Sequence, residues 1–124
     1  GIYDEVQLSA IPTPVLHQFF LHGKGSHTGR VRVVDPIRNA VVFEQLNLLG
    51  SPWRVRGPFD AIFLRNVMIY FDRAAQLKTL ARIKDLLADD GLLFTGHAES
   101  LFYASHLFRA AGSTVYRKAE YRAP

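Results

Sequence analysis

Cysteine is absent from this sequence, and its absence removes disulfides, zinc ribbons, thiol nucleophiles and Cys-His catalysis. Long apolar runs are missing too: nothing approaches the roughly 20 residues that a membrane helix needs, and the opening GIYDEVQLS has neither a basic segment nor an apolar one of the targeting kind. Membrane insertion is therefore not expected, and the cytoplasm is the default location. Arginine and lysine occur without runs of like charge and without interleaved aromatics, which argues against a nucleic-acid partner. Internal repeats, linkers and low-complexity stretches are also lacking.

What is present is core material. Of the 124 residues, 48% are hydrophobic and 21% charged, the balance of one globular domain. A chain of this size buries roughly two-thirds of the surface that it exposes when unfolded, so no metal or disulfide is needed to complete its core. The formal charge of +4 leaves an acidic protein surface open as a partner.

Along the chain, Thr13-Pro14 followed by VLHQFFLH and Gly23 carries an N-cap, a proline at the first helical position and a closing glycine, predicting a helix with Leu16, Phe19 and Phe20 as its buried stripe. GKGSHTG is turn chemistry, Arg30 to Val34 alternates as a half-buried strand does, Pro36 breaks the run, and a second strand is expected at Ala40 to Gln45. Residues 23–45 thus read as a small antiparallel element. After Gly57-Pro58 the pattern becomes α/β. FDAIFL suits a strand buried on both faces. Asp72 caps a helix on which Leu77, Leu80, Ile83 and Leu87 recur until Asp89-Asp90-Gly91 ends it, and GLLFTG is the next buried strand. A weak helix at Ala104 to Ala111 and a strand at Thr114 to Lys118 complete a series that calls for a sheet with helices packed on it.

The run FDAIFLRNVMIYFD from Phe59 to Asp72 and DGLLFTGHAES from Asp90 to Ser100 resemble the C-terminal half of the CheR methyltransferases, which methylate glutamates of chemoreceptors. GIY at the start, HQFFLHGKGSHTG, VVFEQLNLL and STVYRKA stand in the same order and spacing, so the resemblance covers nearly the whole chain. It implies the C-terminal part of a Rossmann-like class I methyltransferase sheet, with S-adenosylmethionine as cofactor, S-adenosylhomocysteine as product, and the ligand across the carboxyl ends of the central strands. It also implies residues 1–124 as a single partial methyltransferase domain, with 23–45 as an inserted β-subdomain that pairs with the cytoplasmic domain of a chemoreceptor or its C-terminal peptide. Position by position, Asn47 and Leu48 match a cofactor-contacting Asn-Leu, Arg65 and Asn66 match the Arg-Asn that ends the next strand, and Tyr70 matches an aromatic of the methyl-transfer site. By the same resemblance Arg65 and Tyr70 are the catalytic candidates. Serine is usual where Ala98 stands and cysteine where Leu64 stands.

Each of these residues has a plainer reading. Arg65 suits an ion pair, Asn66 and Asn47 suit turns, and Tyr70 beside Phe71 suits a core. His97 and Glu99 form no ligand set and read as loop structure. Gly23, Gly25 and Gly29 have the wrong spacing and order for a phosphate cradle. The family's glycine-containing cofactor loop and helical N-terminal domain have no counterpart in these residues, which predicts a bare apolar edge on the Phe59–Leu64 strand and pairing with another chain, by oligomer or domain swap. Two functions follow. One is a protein-glutamate O-methyltransferase, of which this chain alone is inactive; the alternative is a non-catalytic peptide-binding or receptor-binding module derived from the same fold.

Overall fold

The computed structural model describes residues 1–121; residues 122–124 of the expected domain lie outside the described residues. Two compact units form, one from Gly1–Gln45 and the other from Leu46 onward.

In the first unit, β1 (Ile2–Asp4), β2 (Phe20–His22) and β3 (Arg30–Val33) make an antiparallel sheet in the order β1-β3-β2. The alternation of β3 places Val31 inside, 1% exposed, and leaves Arg30 outside. The helix α1 (Thr13–Phe19) begins one residue earlier than its sequence signals, with Pro12 in the cap position and Pro14 in the first turn, where a missing N–H costs no hydrogen bond. It also ends earlier than expected. Phe20 turns extended and pairs with Val33, because β3 has a second edge to fill and strand pairing overrides local helical preference. Leu16, Phe19 and Phe20 are half-buried instead of fully covered.

Pro36 does not merely break a strand; it lies in the first turn of α2 (Asp35–Asn39), which Arg32 and Arg38 brace by each donating to Asp35 Oδ1 at 2.9 Å. The strand expected at Ala40 to Gln45 does not form. Its apolar residues are present, but Val42 is 79% and Phe43 89% exposed. No strand of the described residues runs beside them, so their backbone groups have no ladder to enter.

The second unit has a four-stranded sheet in the order β4-β5-β7-β6, built from β4 (Phe59–Leu64), β5 (Leu87–Thr95), β6 (Phe108–Ala110) and β7 (Val115–Lys118). β4 and β5 are parallel, joined by α3 (Arg73–Leu86), and the other pairings are antiparallel. The α/β class is as expected. Asp72 caps α3 by accepting from the Ala75 N–H at 2.8 Å, and Leu80 and Ile83 drive its inner face into a core with Leu64, Met68, Leu93, Leu101 and Phe108. Leu87 belongs to β5 and not to the helix. Asp89-Asp90-Gly91 does not close α3 either. Pairing along the sheet jumps from Phe59↔Leu87 to Ala61↔Leu92, so these residues form a bulge in β5. Gly91 suits it because an added Cβ would lie 2.9 Å from the Phe59 carbonyl.

Two further expectations fail for a shared reason. β4 is not buried on both faces: it is an edge strand, with Leu64 inside and Phe63 68% exposed and stacked on Phe94 at 4.4 Å. The helix expected at Ala104 to Ala111 is a single 3-10 turn, Phe102–Ala104, followed by β6. Ala104 and Phe108 are both buried, as a helical spacing of four would also have them, but β7 takes Phe108–Ala110 as its outer neighbour. In each case the neighbours available in space decide the outcome.

Candidate functional site

Because β4 and β5 are parallel and adjacent, with Leu64 opposite Thr95, their carboxyl ends open on one side, and two loops meet there. The first runs from Arg65 to Phe71. Arg65 is exposed and makes no ion pair among the described residues. Asn66 turns the chain with φ 59°, a left-handed conformation that asparagine tolerates better than most residues. A 3-10 turn, Met68–Tyr70, then buries Met68 and leaves Tyr70 81% exposed. From α3, Gln76 Nε2 donates to the carbonyls of Met68 at 2.8 Å and Phe71 at 3.2 Å, holding the loop from beneath.

The second loop is Gly96-His97-Ala98-Glu99. Glu99 is 6% exposed, and its carboxylate accepts four backbone N–H bonds: Asn66 at 2.8 Å and Gly96 at 2.7 Å on Oε2, Val67 at 2.9 Å and Met68 at 2.8 Å on Oε1. Thr95 Oγ1 donates to the Glu99 carbonyl at 3.0 Å. Burial pushes the Glu99 carboxyl up, but the four N–H donors together outweigh burial and hold it below the ordinary glutamate range. Burial pushes the Tyr103 hydroxyl up, opposed by Arg73, whose guanidinium lies 3.4 Å from the centre of that ring. His97 is exposed.

The lowered Glu99 value has a fixed sign in stability. A folded carboxylate that binds its proton less readily than the unfolded one contributes fully above about pH 4.3, and that contribution is lost as the pH falls through its folded value. Urea midpoints of the unsubstituted chain should therefore drop below about pH 4.3, and Glu99→Gln should flatten that drop. Equal acid sensitivity in both chains would remove Glu99 from the account.

Of the residues singled out in the sequence, Arg65, Asn66 and Tyr70 come together on one loop. Leu48 is half-buried and joins Leu64 in lining an apolar groove of about 300 Å³ along β4. Asn47 is engaged in its own turn, its Oδ1 accepting from the Leu49 N–H at 3.0 Å and its carbonyl from the Gly50 N–H at 3.1 Å. Glu99 and Gln76 were not picked out as site residues, and reading Glu99 as loop structure captured its place without its partners. The one available signal was an acidic residue just after a buried strand that ends in Thr-Gly. Among the described residues, no group of His, Asp and Glu has the arrangement of a metal site, and no helix is long and apolar enough to cross a membrane.

Residues 1–117 match the family described as "CheR methyltransferase, SAM binding domain". The chain is similar to chemotaxis protein methyltransferase 2 of Pseudomonas aeruginosa, 47% identical over 119 residues that make up 96% of this chain and 42% of that protein. It is similar to the chemotaxis protein methyltransferase of Escherichia coli, 47% identical over 116 residues, or 94% of this chain and 41% of the other. A probable chemotaxis protein methyltransferase of Rhizobium etli is 36% identical over 118 residues, 94% of this chain and 44% of that protein. The chain thus spans about two-fifths of the length of these relatives.

Proposed function

Because the chain belongs to the CheR methyltransferase family and matches its SAM binding domain, we propose that the full-length protein is a cytoplasmic enzyme that methylates chemoreceptor glutamates from S-adenosylmethionine, and that the Arg65–Tyr70 loop forms part of its cofactor site. The observation that carries this reading is the position of that loop, at the carboxyl ends of the parallel β4 and β5 and pinned by Glu99, where open α/β sheets take ligands. The residues suit the group: Leu48 offers apolar cover beside Leu64, and Arg65 and Asn66 offer polar contacts at the strand end.

When bound, S-adenosylmethionine supplies a methyl group activated by a sulfonium. A receptor glutamate, with a model value near 4.3, is already an anion at neutral pH, so no residue here has to act as general base. The work left to this chain is alignment and exclusion of water. Arg65, without an ion pair among the described residues, can hold a carboxylate, and Tyr70 can shape the path to the methyl carbon. The family's glycine-containing cofactor loop has no counterpart in these 124 residues, so the chain by itself should not turn over. The test uses methyl-labelled S-adenosylmethionine and chemoreceptor-bearing membranes: the full-length protein should deposit base-labile methyl esters on the receptor, and absence of such label would defeat the proposal.

The Gly1–Gln45 sheet favours a second role, binding of an acidic receptor C-terminal peptide. A groove of about 330 Å³ runs over it, lined by Ile2, Leu21, His22, His27, Arg30 and Arg32, and among the described residues the outer edges of β1 and β2 pair with no strand, so either could add one. Arg32 and Arg38 already hold Asp35, which leaves Arg30 for the peptide. No calorimetric signal with such a peptide at millimolar concentration would end this role.

A second copy of the chain is the proposed partner for the edge of β4 that pairs with no strand among the described residues. That edge has one charged residue, Asp60, and exposes Phe59 and Phe63, with no lysine or proline to discourage pairing. Light scattering should give a dimer mass, and Phe63→Lys should return it to the monomer value; a monomer before substitution would refute the pairing.

A further inference from the structure

The loop bearing Arg65, Asn66 and Tyr70 has little of its own to keep its shape. Its 3-10 turn is closed by two bonds, Tyr70 N–H to the Val67 carbonyl at 3.2 Å and Phe71 N–H to the Met68 carbonyl at 3.1 Å. Asn66 occupies a conformation that residues with a Cβ disfavour. Three consecutive N–H groups, of Asn66, Val67 and Met68, converge on one point, the arrangement that makes a concave anion site in a backbone turn. The anion in that concavity belongs to the chain itself. Glu99 fills it, and a fourth donor, Gly96, ties the same carboxylate to the end of β5.

A carboxylate that accepts four bonds has its acceptor positions occupied, so Glu99 has no place left for a substrate proton or a ligand. Its effect reaches the ligand through the backbone it holds. The neighbouring charged and titratable groups are Arg73 from α3 and Tyr103 from the 102–104 turn, which line a small cavity with it, and His97, exposed in its own loop.

We propose that Glu99 is a positioning residue: a tethered anion that sets the Arg65–Tyr70 loop and so decides how Arg65, Asn66 and Tyr70 face the ligand. This rests on reading that loop as the cofactor side of the site. Glutamine at position 99 keeps the shape but has a single acceptor oxygen, so at least two of the four bonds must go. Aspartate keeps the charge but is one methylene short.

The test uses the ¹⁵N-labelled chain, unsubstituted and as Glu99→Gln and Glu99→Asp, with S-adenosylhomocysteine as the probe. Glu99→Gln should speed amide exchange at Asn66, Val67 and Met68 at least tenfold, shift the side-chain signals of Arg65 and Asn66, and leave the α3 and β7 amides in place. It should also weaken binding of the probe at least tenfold, with Glu99→Asp between the two. Unchanged loop amides, or unchanged binding in a chain whose loop has loosened, would overturn the proposal. If Glu99→Gln does not fold, acid titration of the unsubstituted chain decides: the amides of residues 66, 67, 68 and 96 should move together in a single step below the ordinary glutamate range, and independent movement would count against the idea. If the unsubstituted chain does not bind the probe, the cofactor reading fails for these residues alone, while the amide exchange still decides whether Glu99 sets the loop.

Discussion

Gly96→Ala is expected to destabilise the second unit by about 2–4 kcal/mol, the range for a forced clash combined with the loss of a charge-assisted hydrogen bond. An added Cβ at this position would lie 2.5 Å from Asn66 Oδ1, 2.7 Å from Glu99 Oε2 and 3.1 Å from the Asn66 backbone nitrogen. The asparagine amide can rotate aside. The carboxylate cannot move without releasing N–H groups that it holds at 2.7 to 2.9 Å. Urea unfolding followed by far-ultraviolet circular dichroism measures the change. A loss under about 0.5 kcal/mol, the scale of an ordinary surface substitution, would mean that the two loops do not approach each other as closely as described. The same substitution at Gly112, where an added Cβ meets nothing closer than 3.5 Å, is the control for helical and strand content.

Arg65→Ala, placed in the full-length protein, should lower kcat/KM for methyl transfer by roughly ten- to a hundredfold, the loss expected of one charge-assisted hydrogen bond to a carboxylate. Arg65 is exposed and without an ion pair among the described residues, so its removal should leave stability within about 0.5 kcal/mol. Steady-state kinetics with each substrate varied in turn identify the carboxylate it holds. A rise in KM for S-adenosylmethionine assigns Arg65 to the cofactor; a rise for the receptor, or a fall in kcat alone, assigns it to the incoming glutamate. Full activity would confine Arg65 to the surface.

Much of the candidate site could be read in the linear sequence because its signals are local. A charged residue and an amide directly after an apolar strand mark a loop at a strand end, and Asp72 at the head of a helical apolar pattern marks where that loop stops; Arg65, Asn66 and the capped α3 stand where these signals put them. The resemblance to CheR methyltransferases rests on the same continuous stretches. Composition indicated one globular domain with an ordinary core, the succession of strand and helix patterns after Gly57-Pro58 indicated the α/β class, and the absence of cysteine excluded thiol and disulfide chemistry.

What only the tertiary structure decided depends on partners distant along the chain. Phe20–His22 is a strand because β3 offers an edge, Phe108–Ala110 is a strand because β7 offers another, and Ala40 to Gln45 is not one because no strand among the described residues runs beside it. Glu99 makes the same point in the site. It meets the N–H groups of Asn66, Val67 and Met68 across 33, 32 and 31 residues of sequence, a separation that no local pattern encodes. The sequence by itself determined which residues end β4 and β5. Chain folding, by placing the ends of the parallel β4 and β5 side by side, decided that a glutamate whose sequence context reads as loop structure would hold the loop between them.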